Sequence, residues 1–598
     1  MRKIKMLLLA VVVLLALLLS GCELFFSDNS SYCLDDYKDS EYFPLIEVID
    51  EYRIRTQKKQ VNSDAFTYSS NDDNKSDASI QMLSAELAST PSMGPDESYV
   101  DFNENRPESI DEPDIVKFSD KYIFSINSYG IITIYSNEKE NSTVVSTYQL
   151  PHIMEDMRCW RASIYLSDNP DILTAVVVYE EDFEYVTCLM LLDISDIKNI
   201  SVKKTVSFNG LLSSCSTVNG KTILVTAEAF EVDSLNYSDP STFVPSITVD
   251  GITSLVRLDD VIYPEKINNI SYGVTTLLDE SNLEILDVKA VLNNSGSIVY
   301  TSENNVYLIG SYNIKDSDGV IYNTSENCDI AILNHRGNEL VDKGTITLRG
   351  YVRDKSHIDE NNGYIRIVTT NLERRFVAGE SYDRDQDGEI NLYVFSLDDN
   401  SPVAKIENFA EKSKTGVVVR FRGDSLYVCN SELVNFKEPV YHLDLKDYSD
   451  ISVNMTDGTD GYSDNLLCYG ENIYLWIGNR RDEEYRLHSY VEIYKKENDN
   501  FVLIDEYFIN GSYSNEYKTF LIDYEENLFG FSVDDYKENS KYIDSCYILL
   551  QFDENGINNV DVIEECNYSR AYLFRVGYFD GYLYISNSNT LIVKKIKE

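Results

Sequence analysis

Ile115-Val116-Lys117-Phe118, Tyr122-Ile123-Phe124-Ser125-Ile126-Asn127, Ile131-Ile132-Thr133-Ile134-Tyr135-Ser136 and Thr143-Val144-Val145-Ser146-Thr147-Tyr148-Gln149 follow one another with only short polar breaks between them. Each run is short, rich in β-branched and aromatic residues, and bounded by turn formers such as Ser119-Asp120 and Tyr129-Gly130, which is the pattern of four consecutive strands. The second strand of this unit has counterparts along the rest of the chain. They are Leu173-Thr174-Ala175-Val176, Ile223-Leu224-Val225, Val306-Tyr307-Leu308, Tyr364-Ile365-Arg366-Ile367, Leu426-Tyr427-Val428, Ile473-Tyr474-Leu475, Leu528-Phe529-Gly530-Phe531 and Tyr582-Leu583-Tyr584-Ile585. These landmarks lie about 57 residues apart on average, with one longer interval of about 83 that implies an excursion near Val232–Ser271. Four antiparallel strands at such a period predict an all-β chain, a β-propeller of eight or nine blades over residues 98–598.

The last unit holds only Ala571–Val576, Tyr582–Ser586 and Thr590–Lys595 before the chain stops, so it is one strand short. A ring must close or leave an open edge. Tyr99-Val100-Asp101-Phe102, just ahead of the first unit, is the expected N-terminal donor of the missing strand.

Upstream, Arg2, Lys3 and Lys5 precede an apolar run from Met6 to Leu19, too short for a comfortable membrane span and suited to a signal peptide over residues 1–21. The run ends in Leu19-Ser20-Gly21-Cys22, which resembles a bacterial lipobox. The resemblance implies that Cys22 is acylated and anchors the chain to the extracytoplasmic face of the cell membrane. The alternative is a plain secretory peptide in which Cys22 is incidental. Residues 22–97 are rich in Ser, Asp and Asn, with apolar spacing at Pro44–Gln60 and Asp77–Ser89 that predicts short helices, and read as a polar tether.

The 598 residues include 100 acidic and 52 basic side chains, a formal charge of −48, which opposes non-specific binding to nucleic acid. An anionic lipid surface is an equally poor electrostatic partner, so a lipid would have to hold the chain at a membrane. Of the ten cysteines, several sit in strand-like apolar runs, Cys188 and Cys429 among them, and read as buried thiols before disulfides; Cys546 and Cys566 are one hairpin pair that stays open.

Ser109-Ile110-Asp111-Glu112-Pro113-Asp114-Ile115-Val116-Lys117 and His357-Ile358-Asp359-Glu360-Asn361-Asn362-Gly363-Tyr364-Ile365-Arg366-Ile367-Val368-Thr369-Thr370 resemble segments of bacterial secreted proteins that carry a "beta propeller domain" of unassigned function. Asn391-Leu392-Tyr393-Val394, Arg420-Phe421-Arg422-Gly423-Asp424 and Gly461-Tyr462-Ser463-Asp464 extend the resemblance. It implies a propeller at the cell surface and no particular reaction. Leu467 stands where the resemblance leads one to expect a His, and Ser512–Leu521 lacks an expected Asp-His pair.

Candidate chemistry is sparse. The five His residues show no metal-ligand spacing, and no nucleotide-binding glycine loop occurs. Gly423-Asp424-Ser425-Leu426 matches a hydrolase block superficially, but stands at a turn before a strand. The doublets Asp111/Glu112 and Asp359/Glu360 offer paired carboxylates for glycoside hydrolysis, with turn capping as the plainer role. Asp383-Arg384-Asp385-Gln386-Asp387-Gly388-Glu389-Ile390-Asn391 matches the first half of a calcium loop, with oxygens from Asp383, Asp385, Asp387 and Asn391 and the carbonyl of Glu389. Val394 occupies the position of the usual bidentate carboxylate, so an acidic hairpin turn is the competing reading. The expected function is therefore a lipid-anchored module that binds an envelope protein or glycan, with a polysaccharide hydrolase as the alternative.

Overall fold

The repeating units are nine sheets, antiparallel but for the short parallel strand Val261–Ile262 added to one of them, in the computed structural model, which describes residues 34–67 and 110–596 apart from short internal stretches. The larger of these are 153–156, 318–320, 378–383, 386–387, 411–416, 431–436, 482–486, 536–543 and 565–573. The fold is a nine-bladed β-propeller, which resolves the expectation of eight or nine. The stretch quoted first forms blade 1, with strands Val116–Phe118, Tyr122–Ile126, Ile131–Ser136 and Val144–Gln149 in sequential order. Blades 2 to 9 follow around the ring, and the ninth has three described strands, Arg575–Phe579, Tyr582–Ser586 and Leu591–Lys595. Tyr99–Phe102, the expected closing strand, lies outside the described residues.

Each blade is sandwiched between two others, so its middle strands are covered on both faces and read as unbroken apolar runs instead of alternating ones. Ile172–Glu181 of blade 2 buries seven consecutive residues in this way. Tight turns keep neighbouring strands in register; Asn219-Gly220 and Asn362-Gly363 both take the positive φ values that a two-residue hairpin of matching twist requires. The ring closes where Tyr584 of blade 9 packs against Val116, Ile123 and Tyr135 of blade 1. Phe118 and Phe579 add a ring contact at 5.8 Å, and Lys139 pairs with Asp580 at 3.5 Å.

Two connections leave their own blade and pair with the blade before it. The excursion expected near Val232–Ser271 interrupts blade 3 and lays the hairpin Ser246–Val249/Ile252–Leu255 on the outer strand of blade 2. Likewise, the connection between the second and third strands of blade 5 places Arg374–Val377 against the long strand Ile321–Asn334 of blade 4.

The helix expected at Pro44–Gln60 spans Phe43–Thr67. Its first turns do not form a free tether. Leu45, Ile46 and Ile49, spaced along one face, are buried against Phe243, Val244, Val256 and Ile267 of the blade 3 excursion. The Tyr42 hydroxyl donates to the Val256 carbonyl at 3.0 Å, and Arg55 to the Ile267 carbonyl at 2.6 Å. Cys188, Cys215 and Cys328 are buried thiols in blade interiors, and burial pushes Cys188 and Cys328 up to about 12. Cys22, Cys33 and Cys566 lie outside the described residues.

Candidate functional site

The centre of the ring is occupied by Ile110–Asp114, the segment that leads into blade 1. Ile110 and Asp111 add a short strand to the axial side of blade 3, opposite Val218 and Thr217. Three residues on, Asp114 exchanges two backbone bonds with Ile164 of blade 2. Between these attachments the chain meets side chains from across the ring. Glu112 accepts from Lys355 Nζ of blade 5 at 2.9 Å and from the Tyr517 hydroxyl of blade 8 at 2.6 Å, with Lys518 Nζ 3.8 Å away. Lys518 also donates to the Pro113 carbonyl at 2.8 Å, and Arg575 Nε of blade 9 donates to Asp114 at 2.6 Å. Burial works to raise the Asp114 pKa, but the Arg575 and Lys518 charges outweigh it and hold this carboxyl below its usual range. Five blades are thus tied to one extended crossbar.

The second doublet sits mid-strand in blade 5, where successive side chains face opposite ways. Asp359 turns toward blade 6 and pairs with Arg366 on the adjacent strand, both wholly buried. Arg366 Nη1 reaches on to the Gly423 carbonyl of blade 6 at 2.6 Å, and its guanidinium lies over Phe421 at 4.9 Å. Glu360 turns the other way, toward blade 4, and accepts from Asn305 Nδ2 at 3.0 Å and the Tyr307 hydroxyl at 2.7 Å. Of the turn capping expected for these acids, Asp111 supplies an instance, accepting from the Glu112 N–H at 2.9 Å. Glu112 and Glu360 tie separate blades directly through their side chains, and Asp359 does so at one remove, through Arg366 of its own blade. Arg420 makes a similar tie from blade 6 to the Leu466 carbonyl and Asn465 of blade 7, at 2.7 Å each.

Where Arg366 pins the Gly423 turn, blades 5 and 6 leave a cleft of about 410 Å³ on the face that carries the tight turns. Tyr364 and Tyr448 meet there edge to face at 4.9 Å. Asn362, Asp424, Lys446 and Asp447 surround them, all four exposed. Burial raises the Tyr448 phenol pKa, with Arg366 beside it pulling the other way.

Other candidate residues fall elsewhere. Ser425 Oγ lies 3.2 Å from His442 Nε2, a neighbour that sequence did not reveal, and that ring stacks on Tyr427 at 4.8 Å in the packing between blades 6 and 7. Leu467 is buried between blades 7 and 8. Asp383 and Asp387 lie outside the described residues, and Asp385 is placed by its backbone alone, paired with Arg374. Of the remaining calcium candidates, the Glu389 carboxylate sits 3.3 Å from Arg349, and Asn391 is buried with its Oδ1 accepting from the Asn408 N–H at 2.9 Å. The carbonyl expected of Glu389 is a separate group from this carboxylate. Among the described residues no cluster of three or more His, Cys, Asp and Glu side chains forms a cation site, and no helix is long and apolar enough to cross a membrane.

A family model described as "Beta propeller domain" matches residues 104–598. An uncharacterised protein of Methanocaldococcus jannaschii is 27% identical over 253 residues, which cover 42% of this chain and 37% of that relative, so the chain spans little more than a third of the relative's length. Among solved structures, Chaetomium thermophilum Sqt1 matches with a TM-score of 0.32 at 9% identity, covering 71% of this chain and 92% of that one. Kuenenia stuttgartiensis hydrazine synthase matches with a TM-score of 0.28 at 9% identity, covering 54% and 92%. The β-propeller domain of the Trilobed protease from Pyrococcus furiosus matches with a TM-score of 0.26 at 14% identity, covering 50% and 84%.

Proposed function

The chain belongs to the beta propeller domain family, and from that premise we propose that it is a binding module, held on the extracytoplasmic face of the bacterial cell membrane by a lipid on Cys22, whose partner is a protein or glycan of the envelope. The observation that carries the binding role is the crossbar. A propeller that performs chemistry on its axis needs reactive groups open to substrate there, whereas Glu112 and Asp114 are already held by Lys355, Tyr517, Lys518 and Arg575. Hydrolysis by paired carboxylates also needs one acid kept protonated near neutral pH. Asp114 is shifted in the opposite direction. Recognition then falls to the turn-bearing face of the ring, where blades 5 and 6 leave a cleft.

The address rests on the basic, apolar and Leu19-Ser20-Gly21-Cys22 sequence of the leader. Cys22→Ala should leave an uncleaved or shed protein; a variant that is still processed and still partitions into detergent like the parent would remove the lipid from the proposal. For binding, the tagged full chain in detergent should capture a defined protein or glycan from envelope extract. Capture no greater than that of a heat-unfolded control would refute it.

A further inference from the structure

We propose that the cleft between blades 5 and 6 binds a neutral saccharide of one or two sugar rings, an inference that rests on the binding role above and assigns it a ligand class and a place. Sugar rings present two kinds of surface. Their axial C–H groups form apolar patches that pack on aromatic faces, and their hydroxyls demand both donors and acceptors. The cleft supplies both kinds. Tyr364 and Tyr448, set edge to face at 4.9 Å, make an aromatic corner whose inner edges rest on the core between the two blades. Asn362, Asp424, Lys446 and Asp447 line the cleft around that corner. Asp447 Oδ1 accepts from the Ser449 N–H at 2.9 Å and hydroxyl at 2.7 Å, and Lys446 Nζ lies 3.9 Å from Asp444, so Asn362 and Asp424 are the polar groups offered to a sugar. The cleft is a shallow crevice of about 410 Å³, open to solvent, which a sugar would occupy with one face.

Rigidity distinguishes this cleft from a chance gap between turns. The turn carrying Asp424 cannot drift from blade 5, because Arg366 Nη1 and Asn361 Nδ2 both donate to the Gly423 carbonyl, at 2.6 and 3.3 Å. The Asp424 carbonyl in turn accepts from the Leu445 N–H at 2.7 Å, which fixes the turn that carries Lys446, Asp447 and Tyr448. The buried Asp359–Arg366 pair therefore stands behind the cleft as a positioning element. A site held in its bound shape spares a ligand part of the ordering cost. Charge selects among sugars: two carboxylates against one ammonium, in a chain of formal charge −48, disfavour uronic and sialic acids and leave neutral sugars.

The full chain in detergent should be titrated with cellobiose, maltose and N,N′-diacetylchitobiose, read by saturation-transfer NMR and calorimetry. At least one should bind, and Tyr364→Ala and Asp424→Ala should each weaken it tenfold or more while the melting temperature of Asp424→Ala, an exposed turn residue, stays near that of the parent. Tyr364→Trp should retain or tighten binding. No binding by any of the three sugars, or binding unaltered in both alanine variants, would overturn the proposal. Capture of an envelope protein by a chain that binds none of the sugars would refute the saccharide and leave the binding role standing. Failure of both capture and titration would remove both.

Discussion

The two Asp-Glu doublets are the same dipeptide put to different uses. At Asp359-Glu360 the doublet lies inside a strand, so the alternation of side chains sends one acid into the blade 5–6 interface and the other into the blade 4–5 interface. At Asp111-Glu112 the strand is only two residues long and Pro113 follows, so the chain leaves the sheet and both acids stand near the axis. There Asp111 pairs with Lys117 at 2.6 Å, about half exposed, while Glu112 gathers groups from two distant blades. Sequence identity within a motif thus says little about energetics; burial and the number of partners decide them. The interior pair is a fixed brace, and the axial set is a ring of partly wet contacts.

Breaking the brace should cost the most. Asp359→Ala leaves the Arg366 charge buried without its carboxylate, and the expected loss is about 3–5 kcal/mol, visible as a lowered denaturant midpoint. Replacing both residues, Asp359→Leu with Arg366→Met, should recover much of that loss, and a double variant as unstable as the single one would contradict this account. Glu112→Ala should cost less, about 2–3 kcal/mol, since it removes two charge-assisted contacts from a half-buried place. The two sites should also separate by salt. The deficit of Glu112→Ala should shrink between about 0.05 and 1 M NaCl, while that of Asp359→Ala stays constant. Equal salt sensitivity would erase the distinction drawn between them.

Acid should discriminate them next. The Asp114 carboxyl titrates lower in the folded chain than unfolded, so its contribution is present above the unfolded carboxylate range near ~4 and is lost as pH falls through the lower folded value. Asp114→Asn should therefore be less stable than the parent at pH 6, with the gap closing in acid. A gap that stays constant down to about pH 2 would count against the ion pair with Arg575. The smallest effect should come from Lys117→Ala, at most about 1 kcal/mol, because its partner Asp111 is about half exposed.

Much of the architecture was legible in the chain. The four strands of blade 1, the last two of blade 9, the excursion in blade 3 and the helix near Pro44 all follow from local patterns of apolar residues and turns, which act over a few residues; the first strand of blade 9 lies at Arg575–Phe579, later than the expected Ala571–Val576. The partners of the acids were not legible, for a physical reason. Lys355 and Tyr517 lie 243 and 405 positions from Glu112, and no local signal says which blades will meet over the axis. Alternation along a strand sends Asp359 and Glu360 to opposite sides, but it does not indicate that Arg366, directly opposite Asp359, carries the tie onward to blade 6. The helix misled for a related reason, since Leu45, Ile46 and Ile49 look like the apolar face of any short helix until the excursion that covers them is known.

The crossbar also sets a timetable. Asp114 leaves the ribosome early, yet Arg575, its partner, is 461 residues downstream. The final contact of the hub therefore waits until the last blade has emerged, on the proposed route after export of the unfolded chain. Before then the inner strands of blades 2 and 3 can already clasp Ile110–Asp114, while Asp114 still lacks its guanidinium partner. Completion of the hub therefore reports that the last blade has been made, and a chain truncated before Arg575 carries that deficit permanently, as a built-in mark of an unfinished ring.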